Sequence, residues 1–322
     1  MSVRSVLVVA EFDDGPHAHA AQRCRALERL GCRVEAFDLL KRPGLLGRLS
    51  GSDLRSRLRK AVELARADAV LVIGGREIGA DLVEDLQRAV GVPWSNWFPD
   101  DLRTVSEVMH RIRAYDKVFV ASTDVAERAR AALGRPVPVV SLAADPSVYR
   151  PLRSRDQYRA NVVFAGTATA RREALLTSLV EFGLALWGPG WRTTSLRDYC
   201  RGEVPNTEDY VRAYGGASVA VNIHHTASGN GALESHLNQR LFEVAAIGVP
   251  QVVDERGDLA THFESGRDVL VFHDSDELRS IVQAALQDLP AAEQIGASAR
   301  REVLARHTYM HRMKVVLDEM NR

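Results

Sequence analysis

Between Ser5 and Leu142 the chain sets short apolar runs against spans of helical length, and that alternation constrains the fold more than any single residue does. The runs are SVLVVAEF, RVEAFDLL, DAVLVIGG, VPWSNWF, KVFVAS and PVPVVSL. Helix-patterned stretches lie between them: Ala18 to Leu30, stopped by Gly31, and others ending near Val90, Tyr115 and Leu133. Runs that are apolar throughout suit strands covered on both faces, and connections long enough to hold a helix join parallel neighbours. Six such strands predict one doubly wound parallel sheet. The polar stretch YRPLRSRDQYRAN, with its proline and four arginines, reads as a linker, so the first domain is placed at residues 1–150.

The same grammar then restarts. NVVFAG, LALWG, SVAVNIHH and DVLVFH read as strands, Arg171–Phe182, Thr207–Tyr214 and a span from Ser275 as helices, and everything from Ala291 onward as helix. The most specific stretch is NQRLFEVAAIGVPQVV. Asn238 can cap a helix that Gly248 closes in the left-handed conformation, and a buried strand follows Pro250. Leu241, Val244 and Ala245 share the core face of that helix, while Arg240 and Glu243 turn toward the crevice where an open α/β sheet holds ligands. A helix start suits phosphate and a carboxylate suits ribose hydroxyls, so the stretch is read as a nucleotide site; its rival is an ordinary Arg/Glu pair on an amphipathic helix. Two Rossmann-like domains with a cleft between them is the expected architecture, the second spanning residues 151–306.

Charge and cysteine content narrow the partners. Lys+Arg and Asp+Glu are both 42, which supplies no overall field for nucleic acid. Three scattered cysteines, Cys24, Cys32 and Cys200, fit buried thiols of a reducing compartment, and a soluble, cytoplasmic protein is expected. The basic Leu-rich stretch 41–67 reads as a helix covering the sheet; weak contact with an anionic membrane surface is the other reading.

The segments VVFAGTATARREALLTSL, LALWGPGW, VNIHH, NQRLFEVAAIGVPQVVD, VLVFHD and HTYMHR, in this order and spacing, resemble the C-terminal half of GT-B glycosyltransferases, specifically the spore-maturation (CgeB-type) group related to family-4 retaining enzymes. The resemblance implies two facing Rossmann-like domains, a nucleotide-diphosphate sugar held by the second as co-substrate rather than cofactor, an acceptor held mainly by the first, and a terminal helix, 307–322, returning toward the first domain. It also implies transfer with retention. Carried over residue by residue, Glu243 takes the place of the second glutamate of the E-x7-E pattern, which binds ribose. The first glutamate is replaced by Ser235, with Glu234 one step away.

The remaining donor-side candidates follow the strand ends. Gly166 and Thr167 can bring main-chain N–H groups to a diphosphate, and Arg171 or Arg172 opens the next helix with a cation. Neighbouring helical residues point about 100° apart, so one of the two arginines faces the ligand and the other solvent. Gly188 ends the next strand beside Trp187, whose ring is either a base platform or core. Asn222, His224 and His225 end another, before the Gly-rich SGNGAL. A retaining transfer needs no protein base. His17, in the loop after the first strand with Asp13, Asp14 and His19, is the candidate for sugar or acceptor contact. The pairs Asp13–Asp14 and Asp100–Asp101 diverge too much for a metal site, Asp101 reading as a helix cap, so no metal is expected. A nucleotide-sugar epimerase and a non-catalytic nucleotide-sugar binder are the rival functions.

Overall fold

The computed structural model describes residues 3–13, 18–41, 53–99, 105–204, 206–225 and 235–322. His17, Asp14, Asp100, Asp101, Glu234 and the SGNGAL loop lie outside the described residues. The chain divides into two compact units: Met1–Leu142 with Ala227–His236 and Tyr309–Arg322, and Ala143–Thr226 with Leu237–Thr308.

In the first unit, strands β1 (Ser5–Ala10), β2 (Arg33–Asp38), β3 (Ala69–Ile73), β4 (Trp94–Phe98) and β5 (Lys117–Val120) alternate with helices α1 (His19–Arg29), α2 (Leu54–Ala65), α3 (Ala80–Val90), α4 (Val105–Ile112) and α5 (Thr123–Leu133). The sheet order is β2-β1-β3-β4-β5, parallel throughout. β1, β3 and β4 are buried at every position, as the apolar runs of β1 and β3 require; β4 also buries Ser95 and Asn96, the latter donating to Gly74 O. The sixth expected strand, PVPVVSL, is only a bridge between Val120 and Val139. Val140 N donates to Val120 O and Val120 N to Pro138 O, but Pro136 and Pro138 have no N–H with which to extend a ladder. In α2, Leu58, Val62 and Ala65 are buried in this unit's core, so the apolar stripe of the basic segment faces inward.

The second unit carries β6 (Ala160–Ala165), α6 (Ala170–Thr177), β7 (Leu184–Trp187), β8 (Cys200–Gly202), α7 (Thr207–Gly215), β9 (Ala217–Asn222), α8 (Gln239–Ile247), β10 (Gln251–Asp254), β11 (Leu270–Phe272), α9 (Ser275–Gln287) and α10 (Leu289–Arg306). The order β11-β10-β9-β6-β7-β8 starts in the middle at β6, runs outward to β8, and resumes on the other side of β6 with β9. Val162, Phe164, Leu186, Val219, Val221, Val252 and Phe272 form its core with Trp191, Leu278 and Val282. The short edge strand β8 has no alternating signal to reveal it.

The helical reading from Ala291 onward is broken at His307. There the backbone leaves the helix, and the ring packs against His262, Phe242 and Phe263 at centroid distances of 5.0, 5.8 and 5.4 Å. The following helix, α11 (Tyr309–Met320), belongs to the first unit and packs on α1, with Arg23 stacked on Trp97 and Tyr309 at 4.5 and 4.8 Å. Among the described residues no helix is long and apolar enough to cross a membrane. Cys24 and Cys32 are buried and free, and burial pushes the Cys24 thiol up to about 12.

The turns after β6 and β7 are pressed together. A Cβ on Gly188, whose φ is +116°, would stand 2.7 Å from Gly166 O. Gly188→Ala is expected to destabilise the second unit by about 1–3 kcal/mol, since neither the backbone angle nor the contact can relax without moving the Gly166 turn. Urea unfolding of parent and variant checks this.

Candidate functional site

β6 and β9 lie side by side, but their connections leave on opposite sides, and an open α/β sheet offers its ligand crevice at the carboxyl ends of such a pair. Gly166, Asn222 and Asp254 mark the ends of β6, β9 and β10, and α8 begins nearby. Gly166, Thr167, Arg171, Arg172, Gly188, Asn222, His224, Asn238, Arg240 and Glu243 all fall in the second unit.

The helix start is tied to the strand ends by buried amides. Asn238 caps α8, its Oδ1 accepting from Leu241 N at 3.0 Å, and its Nδ2 donates to Asn222 Oδ1 at 2.7 Å. Asn222 Nδ2 reaches Gln251 Oε1 at 2.8 Å, and Arg240 Nη1 donates to Asn222 Oδ1 at 3.2 Å. Asn222 thus holds α8 over β9 and β10. Gly248 ends α8 in the left-handed conformation, at φ +89°.

Arg240 lies under the Gly166 turn. A Cβ on Gly166 would come 2.6 Å from Arg240 Nη2, so the absent side chain leaves room for a guanidinium. Arg172 shares the place: both guanidinium carbons stand over the Phe164 ring, Arg172 at 5.2 Å and Arg240 at 5.1 Å. Arg172 bonds only neutral acceptors, Ile223 O through Nε and Nη2 and Thr167 O through Nη1. Burial and then the charge of Arg240 lower it to about 10. Of the two adjacent arginines Arg172 is the buried one, its stem passing Phe164 to reach the end of β9. Arg171 is the partly exposed one, and it pairs with Asp254 Oδ2 at 3.1 Å.

Asp254 gathers donors on both oxygens. Oδ2 also meets Arg256 Nη2 at 3.0 Å, while Oδ1 accepts from His224 N at 2.9 Å and faces His224 Nδ1 at 2.6 Å. Burial alone would raise this carboxyl, but the His224 contact and then Arg256 outweigh it and hold it well below the ordinary 3.8. His224 is 4% exposed, and burial pushes its imidazole below 6.5 against the pull of Asp254.

Glu243 is 5% exposed, and one oxygen accepts from Tyr210 Oη at 2.8 Å. Burial and then the Glu243 charge raise that phenol well above 10. The sequence singles out Glu243 but carries no sign of its partner Tyr210, which comes from α7. Asp254, Arg256 and Phe164 were likewise not singled out; a carboxylate closing the QVVD strand was the available signal for Asp254. Thr167 is exposed beside the Gly166 turn, and His225 is exposed beyond His224. Gly188 is a packing residue against Gly166, and the Trp187 ring sits in the core, 5.5 Å from Tyr158. Among the described residues no three His, Cys, Asp or Glu side chains gather as a metal site would need.

Residues 171–318 match the profile of a family described as "Glycosyl transferase-like". No curated protein matches the chain. Among solved structures the chain is similar to sucrose-phosphate synthase from Thermosynechococcus elongatus, at 14% identity and TM-score 0.70 over 98% of this chain and 99% of that one. It is similar to Anabaena Alr3699/HepE in complex with UDP and glucose, with the same identity, score and coverage. A glycosyltransferase from Rickettsia africae ESF-5 matches at 11% identity and TM-score 0.70 over 99% of each chain. At such identities the likeness establishes the fold, two parallel-sheet α/β domains of the GT-B type, as the sequence led one to expect.

The depressed Asp254 carboxyl has a testable sign. Its contribution to stability is fully present above 3.8, the ordinary value, and is lost as pH falls below it toward the folded-state value. Asp254→Asn should be less stable than the parent at pH 7 by about 1.5–3 kcal/mol, the gap narrowing below about pH 4. Chemical unfolding across pH checks this; a gap unchanged at acid pH would show the carboxylate to be unperturbed.

Proposed function

We propose that this chain is a glycosyltransferase that moves a sugar from a nucleoside diphosphate sugar to an acceptor. The observation that carries the reading is electrostatic. Among the described residues the β6/β9 switch sets four guanidiniums, Arg171, Arg172, Arg240 and Arg256, against two carboxylates, Asp254 and Glu243: Arg171 and Arg256 pair with Asp254, Arg240 lies in the field of Glu243, and Arg172 and Arg240 share one aromatic ring. Such an excess of positive charge, with Arg172 buried and Arg171 exposed, matches a diphosphate, in the position where sheets of this order hold nucleotides. The family match over 171–318 supports the same reading, and the UDP in the Anabaena structure makes uridine nucleotides the first donors to try.

In this reading Arg171, the exposed member, reaches the diphosphate, with Arg172 and Arg240 supporting it from beneath. The main chain at Gly166 and Thr167 and the start of α8 at Asn238 complete the phosphate surroundings, Gly188 shapes the turn, and the second oxygen of Glu243 accepts from ribose. Guanidiniums take the place of a divalent cation in stabilising the leaving diphosphate, so no metal is required. Transfer is of a hexosyl unit with retention, as the resemblance to the spore-maturation group suggests. Residues 1–150 then serve the acceptor, with His17 at its edge, residues 151–306 the donor, and 307–322 the return to the acceptor side.

Calorimetry with UDP, GDP, ADP and TDP tests the donor site. Glu243→Gln exchanges a charged acceptor for a neutral amide and should weaken nucleoside diphosphates about ten- to a hundredfold. Tyr210→Phe keeps the carboxylate and should weaken them far less. Arg171→Ala should weaken diphosphates more than the free nucleoside. Undiminished binding by Glu243→Gln, with an intact melting curve, would remove the assignment. Once a donor is found, transfer should survive EDTA, and consumption of donor without any acceptor would point to an epimerase instead.

A further inference from the structure

The contact between His224 and Asp254 leaves one ring nitrogen that no described residue meets. Both Asp254 oxygens are met by N–H donors, namely the His224 main chain, Arg171 and Arg256, so the carboxylate is ionised and can only accept. The proton in its 2.6 Å contact with the ring is therefore on Nδ1. Burial keeps the imidazole neutral, which leaves a lone pair on Nε2. The ring is 4% exposed, and among the described residues Nε2 has no hydrogen-bond partner. The two nitrogens sit on different edges of the ring, so Nε2 is turned away from Asp254.

What surrounds that lone pair defines its ligand. His224 follows Ile223, whose carbonyl Arg172 holds, and Arg171 Nη1 lies 3.4 Å from the His224 carbonyl. The guanidiniums are spent on Asp254, on main-chain oxygens and on Asn222, and none donates to Nε2. An ionised diphosphate would satisfy them, yet it has no proton to give a ring nitrogen. A ligand that completes both features must join an anion to a hydroxyl.

We propose that Nε2 of His224 receives a hydrogen bond from a carbohydrate hydroxyl of the bound ligand, and that Asp254 is the positioning residue that sets the required tautomer. The inference rests on the nucleoside diphosphate sugar reading above and deepens it. The hydroxyl belongs either to the ribose or to the transferred sugar, and the two sources separate by experiment.

The test titrates parent and His224→Phe with pyrophosphate, with UDP and UDP-glucose, and with GDP and GDP-glucose. Pyrophosphate should bind both proteins alike, while the nucleotide sugar should bind the variant about 2- to 12-fold more weakly, the value of one ordinary hydrogen bond. An equal loss for the nucleoside diphosphate assigns the contact to ribose; a loss confined to the nucleotide sugar assigns it to the transferred sugar. In the second case a deoxy-sugar nucleotide lacking that hydroxyl should bind parent and variant equally, which a merely structural histidine would not produce. No loss, or the same loss with pyrophosphate, overturns the proposal. If His224→Phe does not fold, the nitrogen-15 spectrum of the histidine-labelled parent decides: Nε2 should be unprotonated and should shift when the nucleotide sugar saturates the site, and a protonated or unmoved Nε2 overturns it. A parent that binds none of these ligands overturns the donor-site reading itself, a result distinct from a parent that binds and a variant that is unchanged.

Discussion

The second unit's strand ends are organised by one buried carboxylate. Asp254 is 3% exposed, and taking such a charge out of water costs several kcal/mol unless donors replace the lost hydration. Here they come from three places in the chain: the start of α6, the residues just past β9, and the loop that follows β10 itself. The requirement is mutual. Arg171 and His224 would be poorly placed without Asp254, and Asp254 would be a buried unpaired charge without them. Each strand end is thereby located relative to the next by hydrogen bonds rather than by apolar contact, which has no direction.

Beside this neutralised group the balance is deliberately incomplete. Arg172 and Arg240 lie against one ring, bonded to carbonyls and an amide, and Arg240 Nε and His224 Nε2 are buried without partners. An unmade hydrogen bond of this kind costs about 1–3 kcal/mol, more than the 0.5–1.5 kcal/mol that a typical made one contributes. The unit's apolar core, from Phe164 to Phe272, carries that cost. In the donor-site reading proposed above, cations fixed in place before an anion arrives would spare binding the immobilisation of long side chains.

Local chemistry was enough to read α8: an amide at Asn238 to satisfy the first N–H groups, an apolar face, and Gly248 where the backbone turns left-handed. It failed where the deciding partner was remote. PVPVVSL has the hydrophobicity of a strand but lacks the N–H groups, a point of covalent structure that hydrophobic pattern ignores. The stretch from Ala291 keeps helical composition through His307, and the break there follows from a ring drawn among Phe242, His262 and Phe263, all far earlier in the chain. Helical periodicity showed that Arg171 and Arg172 diverge, yet which one turns inward was set by remote partners, Phe164 for Arg172 and Asp254 for Arg171.

By itself the sequence determined the two α/β units, the helix–stop–strand unit at Asn238–Val253 and the strand-end position of Glu243, Asn222 and His224, because period, caps and chain breaks act over a few residues. The tertiary structure alone decided which guanidiniums lie buried, that Asp254 holds His224 in one tautomer, and that Tyr210 shares Glu243. Those outcomes depend on charge and desolvation across residues as far apart in the chain as Arg171 and Asp254, and no local pattern in a chain carries the distance between them.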